Sequence, residues 1–447
     1  MTSSPRDFYL TLILFLSLLY PLFHNFFSFL TINSYNYLFD KSPFFNLAVI
    51  GLKDILILII LFLLFLTRLN FNNILSMMLL ILSLIFYSPS DFKQITLPFL
   101  IASTLYFNRE KIFFLFERHK SIINNFFIFI LITTLSFAWY EYVLRVYFDN
   151  HNLITINNEI KCSKYMLSDI DNFNSCIGSM QNYYKIDEFN NNYIILDTIF
   201  MPAGDSVSLS FILFFIIFFF SVLSNSRYKN FFILMAATSI FFTFSRFISI
   251  FTIFFLFYHF IFKEKKVLFF LIPLSFFLLN INYYFFSLFK SSVPSNIGHI
   301  EALSSILQYD VSIFMILIFI SMIGFWIFLY KNINLDFILT YLMTLLLSMT
   351  LHLCVFNDWS FFGSDLVVAK ESNFLKAIGT FGIMGIALYS YVLALLFYML
   401  KSNNFYSVFI ILIILLYQFI SPYVISGFVI FFPAFTLAIL SYIKNTK

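Results

Sequence analysis

The chain has 447 residues, of which 61% are hydrophobic and 11% charged, and its mean hydropathy is +0.92. Soluble domains carry roughly 25% charged residues, so this composition excludes an ordinary water-facing surface. The 26 Lys and Arg against 22 Asp and Glu give a net charge of only +4, and these residues are scattered. The composition therefore excludes the basic face that nucleic-acid binding requires.

The predicted elements are apolar runs near 8–30, 44–66, 73–87, 94–107, 122–148, 205–223, 230–244, 247–262, 267–289, 311–330, 335–356, 373–400, 404–420 and 424–443. The first follows Arg6, is too long for the apolar core of a secretion signal and lacks an A-x-A cleavage site, so it reads as a retained span. A crossing takes about 20 apolar residues, and within hydrocarbon every backbone amide must be satisfied internally, which selects helices. The runs are continuously apolar rather than alternating, which excludes a β-barrel. The expected fold is an all-α polytopic integral membrane protein of about 12–14 transmembrane helices. It divides into N-terminal helices over 1–148, a long loop over 149–203, and C-terminal helices over 204–447 with outer loops at 290–310 and 357–372.

Lys and Arg in the short loops set the orientation. With both termini in the cytoplasm, 15 of the 26 basic residues fall inside, among them Arg6, Arg68, Arg109, Arg118, Arg227, Lys229, Lys263, Lys265, Lys266, Lys331 and Lys401. The Asn-rich, acidic loop 149–203 then lies outside. It holds Cys162 and Cys176, which can pair in an oxidising compartment or remain thiols. The three cysteines, with Cys354, form neither a disulfide scaffold nor a C-x-x-C metal pair. There is no HExxH, no clustered set of metal ligands and no P-loop, so neither a metal nor any other cofactor is expected, and a single-chain ATP-driven pump is disfavoured.

Ionisable residues at membrane depth or at its edge are costly and become functional candidates. Glu141 and Arg145 stand at i, i+4 near the outer end of the fifth run, a spacing that permits an ion pair. Arg145 is also a possible anion ligand. Thr243-Phe-Ser245-Arg246 separates two short apolar runs, with Lys229 before them and Lys263-Glu-Lys-Lys266 after them. This places Arg246 at the outer turn of a tight helix hairpin. A guanidinium there suits bidentate recognition of phosphate oxygens, while the structural alternative is an interfacial arginine reaching to water.

Ser295-Asn-Ile-Gly298-His299-Ile-Glu301 lies in the next outer loop, where His299 or Glu301 could take a proton from an attacking hydroxyl. The alternative is a helix start capped by Ser295 or Asn296, with Glu301 near its positive end. Lys370-Glu371-Ser372-Asn373 precedes Gly379, Gly382 and Gly385. These glycines follow no strand, so they read as close helix packing rather than a dinucleotide loop. Glu371 reads either as a catalytic carboxylate or as a favourable charge at a helix start. His352, Asp358 and Trp359 flank this last outer loop, and a single His near a helix end is more often packing than chemistry.

Three stretches together resemble the polytopic bacterial O-antigen polymerase and ligase family: TFSR at 243–246, SNIGHIEAL at 295–303, and FFGSDLVVAKESNFLKAIGTFGIMG at 361–385. Here the apolar runs 311–330 and 335–356 separate the second stretch from the third, whereas the family pattern sets them close together on one outer loop. The long loop also lies upstream of TFSR rather than further downstream. The resemblance implies a GT-C-like helical membrane glycosyltransferase architecture in the bacterial inner membrane, with its active face periplasmic. The implied reaction is metal-independent polymerisation of undecaprenyl-pyrophosphate-linked oligosaccharide repeat units. Arg246, Ser245 and Arg145 would hold the pyrophosphate, and His299, Glu301 or Glu371 would activate the acceptor hydroxyl. Membrane lipid and a chain-length regulator protein are the implied partners. Two alternatives remain open: a ligase transferring glycan to lipid A-core, and a flippase for the same lipid-linked oligosaccharide. The flippase fits less well, because no internal repeat is detected and the polar candidates gather at one face.

Overall fold

The computed structural model describes residues 78–79, 99, 101–147, 185–188, 191–194, 196, 206–224, 226–281, 336–355, 373–399, 406, 409–410, 413 and 431–445. Their elements are helical apart from one two-stranded hairpin, so the expected all-α character holds for the described residues. The chain divides into two compact units, one comprising residues 1–59 and 119–284, the other residues 60–118 and 285–447.

In the first unit the helices are α2 (Lys120–Tyr147), α3 (Ser206–Val222), α4 (Lys229–Phe242), α5 (Arg246–Leu256) and α6 (Val267–Leu279). The hairpin of β1 (Lys185–Glu188) and β2 (Asn191–Ile194) lies between α2 and α3. It is antiparallel, pairing Lys185 with Ile194 and Glu188 with Asn191, and it falls in the stretch read from sequence as a loop. The second unit contains α1 (Arg109–Arg118), α7 (Phe337–Val355), α8 (Asn373–Met399) and α9 (Phe431–Asn445). The helices α2 to α9 fall on apolar runs read from the sequence. The helix α1 does not: in the sequence REKIFFLFER reads as part of a short basic loop. It is helical because Ile112 and Phe116, one turn apart, are both buried, and Phe113 and Phe116 pack on Tyr442 and Phe435 of α9. Glu110 in the first turn and Arg118 in the last complement the helix dipole.

Ring contacts fix the directions of the helices in the first unit. Phe127 of α2 stacks on Phe219 of α3 at 3.8 Å, near the start of one helix and the end of the other, so the two are antiparallel. Phe220 of α3 stacks on Phe232 of α4, again end to start. Phe241 and Phe242 of α4 meet Phe277 and Phe276 of α6, end to end, so α4 and α6 run the same way. The chain thus alternates direction through α2, α3, α4, α5 and α6. The core of this unit is α3: every residue from Leu209 to Phe220 is buried, including the run Phe218-Phe219-Phe220. A helix that is apolar all round belongs in the interior or in lipid.

In the second unit α7 and α8 are antiparallel. Ser390 donates to Ser348 at 2.8 Å, and Phe337 packs on Tyr391 and Tyr398. The guanidinium of Arg109 lies 4.8 Å from the ring centre of Tyr106 and 5.9 Å from that of Tyr398, and donates to the Tyr106 carbonyl at 3.1 Å. The helix α8 is continuous through Gly379, Gly382 and Gly385, as expected for glycines that serve packing.

Among the described residues one helix, Lys120–Val143, is by length and composition able to cross a bilayer. Shorter apolar helices accompany it in both units.

The Phe127–Phe219 stack joins two fully buried rings, so Phe127→Ala is expected to cost about 3–5 kcal/mol. Phe129→Ala, at a ring 52% exposed, is expected to change stability by no more than about 0.5 kcal/mol. Equilibrium unfolding of the two variants in detergent checks both values.

Candidate functional site

The site builds up from the turn between α4 and α5. The helix α4 ends because Thr243 closes it: the Thr243 N–H donates to the Ile240 carbonyl at 3.1 Å, and its Oγ1 donates to the same carbonyl at 2.6 Å. That hydroxyl in turn accepts the Ser245 N–H at 3.4 Å. Between them Phe244 takes φ 53°, the left-handed region that a bulky residue occupies only under constraint from its surroundings. Ser245 is extended, at φ −73° and ψ 94°, and its carbonyl accepts the Ser249 N–H at 2.9 Å, the first bond of the new helix. Thr243, Phe244 and Ser245 are all buried.

Two further elements fix this turn. The carbonyl of Phe242 would be an orphan at the end of α4, and it accepts the N–H of Leu196 at 2.8 Å. Leu196 is fully buried, so this residue is pinned against the turn. From α2, Trp139 donates its ring N–H to Ser239 of α4 at 3.0 Å. Trp139 and Tyr142 both pack edge-on against Phe242. The C-terminal ends of α2 and α4 therefore lie side by side, at the same end of the unit as the start of α5.

The sequence-predicted residues distribute as follows. Arg246 is the first residue of α5, and Ser245 its N-cap, without a side-chain capping bond. Arg145 lies in the last two turns of α2, the helix end that Tyr142 joins to α4. The structure thus brings the backbone positions of Arg145, Ser245 and Arg246 to one end of one unit. Glu141, expected to pair with Arg145, is buried, at 4% exposure. His299, Glu301 and Glu371 lie outside the described residues, as do the outer loops 290–310 and 357–372, Cys162 and Cys176. Among the described residues no group of three His, Cys, Asp or Glu side chains converges as a metal site.

Trp139, Tyr142 and Leu196 escaped the sequence reading. A lone Trp near a helix end carries no signal of which hydroxyl it meets 100 residues away. The α2–α4 contact becomes visible only once both helices are placed.

The opposite end of the unit is basic. Lys229, the first residue of α4, donates to Glu264 Oε1 at 2.8 Å, and Lys266 reaches Glu264 Oε2 at 3.2 Å. Hydrogen bonding from Lys229, against a smaller opposing effect of burial, lowers the Glu264 carboxyl from 4.5 to about 2.

No protein-family model matches the chain, and neither a curated protein nor a solved structure shows significant similarity to it.

A carboxyl lowered on folding adds stability that is fully present above its unfolded value, and this is lost as pH falls through the folded one. Glu264 therefore contributes above about pH 4.5, and its contribution disappears on descending towards pH 2. Wild type is expected to lose more stability between pH 7 and pH 3 than Glu264→Gln, as measured by unfolding at the two pH values.

Proposed function

We propose that the chain is a polytopic membrane glycosyltransferase, an O-antigen polymerase that joins lipid-pyrophosphate-linked oligosaccharide units at the outer face of the bacterial inner membrane. The observation that carries this reading is the position of Arg246. It opens α5 directly after a buried turn, and the first turn of that helix holds no acidic residue. A cation and a helix N-terminus, both positive, suit a shared anion. Arg145 stands at the same end of the unit, and the lysines lie at the other. That separation supports a reading in which the T-F-S-R end faces the periplasm and the Lys229–Lys266 end the cytoplasm.

The wall between these ends supports a lipid surrounding. Phe254, Phe257, Phe262, Leu268, Leu271 and Leu279 are all large and exposed, side chains for which lipid tails are an apolar match.

In this reaction the donor glycosidic bond breaks as an acceptor sugar hydroxyl attacks the anomeric carbon. The electron pair leaves with the pyrophosphate, and the hydroxyl proton passes to a base. The donor is already activated, so no nucleotide is consumed. Arg246, with Arg145, stabilises the charge growing on the pyrophosphate, and Ser245 helps to fix the turn. The base is His299, Glu301 or Glu371, on the outer loops. A fixed charge donor in a dry site is worth a factor of about 10²–10³.

Arg246→Ala is therefore expected to lower polymer formation by about 10²–10³ while the protein remains in the membrane, read as loss of the long-chain glycan ladder in a deletion strain carrying the variant. A normal ladder removes the anion-binding role. The glycan of the deletion strain itself separates the alternatives. One repeat unit on the core indicates a polymerase, none indicates a ligase or flippase, and accumulation of cytoplasmic lipid-linked units indicates the flippase. Sidedness has its own check: Ser295→Cys, in a chain whose three native cysteines are replaced by serine, is expected to react with an impermeant thiol reagent in intact spheroplasts. Protection until lysis inverts the orientation.

A further inference from the structure

The basic end of the first unit has a structure of its own. Five cations, Arg227, Lys229, Lys263, Lys265 and Lys266, and a single carboxylate, Glu264, lie on the two chain segments at this end. Glu264 binds Lys229 from the start of α4 and Lys266 from the start of α6, which ties together the two chain segments that carry the charges. The backbone between them is tightly turned. A π-helical segment (Phe257–Lys263) continues α5, and its His259 and Phe260 carbonyls accept the N–H groups of Glu264 and Lys266. Lys265 takes φ 52°. A left-handed lysine is strained where a glycine would not be. Arg227, Lys263 and Lys265 are exposed, and Lys266 keeps 44% of its side chain exposed despite its ion pair.

Beside these charges stands an apolar collar. Tyr228 is 63% exposed, Phe231 56%, Phe262 63%, Val267 53% and Leu268 75%. Each is a neighbour in sequence of one of the cations or lies within one turn of it. A rim of ammonium and guanidinium groups next in sequence to exposed aromatic and aliphatic side chains matches one ligand in chemistry. That ligand is a lipid bearing a phosphate headgroup over acyl chains. A soluble anion would use the charges and leave the collar in water.

We propose that this rim binds the headgroups of anionic phospholipids, with Glu264 positioning Lys229 and Lys266 and with Tyr228, Phe231, Phe262 and Leu268 against the acyl chains. The inference rests on the membrane reading given above, and adds to it a lipid class and the residues that select it.

The test uses the full chain in nanodiscs of phosphatidylcholine containing a minority of phosphatidylglycerol. After mild detergent release, the lipids retained on the protein are counted by mass spectrometry. Wild type is expected to enrich phosphatidylglycerol over phosphatidylcholine, and the enrichment is expected to fall as salt rises. The triple variant Lys263→Gln, Lys265→Gln, Lys266→Gln is expected to reduce it at least about tenfold. The corresponding triple arginine variant, which keeps the charge, is expected to preserve it. Equal enrichment in the glutamine variant and wild type overturns the proposal, as does a wild type without enrichment. Displacement of the lipid by inorganic phosphate also overturns it, because the rim would then be a site for a soluble anion. Failure of the membrane reading has a separate signal: wild-type chain absent from alkali-washed membranes.

Discussion

The structure depends on keeping backbone polar groups paired in a chain with almost no polar surface to offer them. An uninterrupted helix does this by itself, but each break releases donors and acceptors that apolar neighbours cannot satisfy. The breaks in the first unit are repaired one by one. Thr243 uses both its N–H and its hydroxyl on Ile240, Leu196 reaches the last carbonyl of α4, and a π-helical segment carries α5 to the basic turn. Several buried or half-buried side-chain hydroxyls obey the same constraint. Thr238, Thr252, Thr344 and Thr436 each bond to a carbonyl one turn back, so they add no unpaired group to an apolar interior. Where a hydroxyl meets another helix, as in Trp139 to Ser239 and Ser390 to Ser348, it fixes which faces meet. Aliphatic packing alone specifies such a choice weakly.

These repairs give the first unit two distinct ends. Because α2, α4 and α6 share one direction and α3 and α5 the other, the breaks between the described helices from α3 to α6 fall at one end or the other. At one end a neutral, buried turn leads into Arg246. At the other, Glu264 holds Lys229 and Lys266 among five cations. The helix α5 with its π continuation is bracketed by Phe244 and Lys265, the non-glycine residues with positive φ among those described. Glycine at either position would relieve the strain. A phenylalanine buried at the first and a lysine exposed at the second have side chains suited to their ends, one packing into the unit and one facing its surroundings.

Most of the helical segments were legible in the sequence because long apolar runs have few other solutions, and the edges of α2, α3, α4 and α8 fall within a few residues of the edges of their runs. The helix α1 was not legible, since REKIFFLFER is short and charged, and its apolar face is fixed by α9, which supplies a surface for Phe113 and Phe116. The hairpin at 185–194 was hidden for a different reason: an Asn-rich, acidic segment carries no clear alternation of apolar and polar residues. Of the candidate site, the turn at 243–246 was legible because polar residues between two apolar runs must mark a break. Its support by Trp139 and Leu196 was not, because those contacts span 100 residues in one case and 46 in the other. The Glu264 clamp was also hidden, since in sequence it is one acidic residue among lysines.

The start of α5 presents an electrostatic conflict. A cation near a helix N-terminus is opposed by the dipole, typically by about 0.3–1 kcal/mol, and sequences ordinarily place an acid there instead. Here the first turn has none, Ser245 makes no capping bond, and the turn before the helix is both strained and buried. Each of these features lowers stability slightly, and together they describe a place that selection for stability alone would have altered. In the proposed reading, an anion held jointly by a guanidinium and the N–H groups of the first helical turn would convert the repulsion into a gain. The conflict would then be resolved only with substrate bound, so the features that cost stability here would enlarge the differential interaction with a pyrophosphate. That is the energetic form required of a group acting on charge that develops during the reaction.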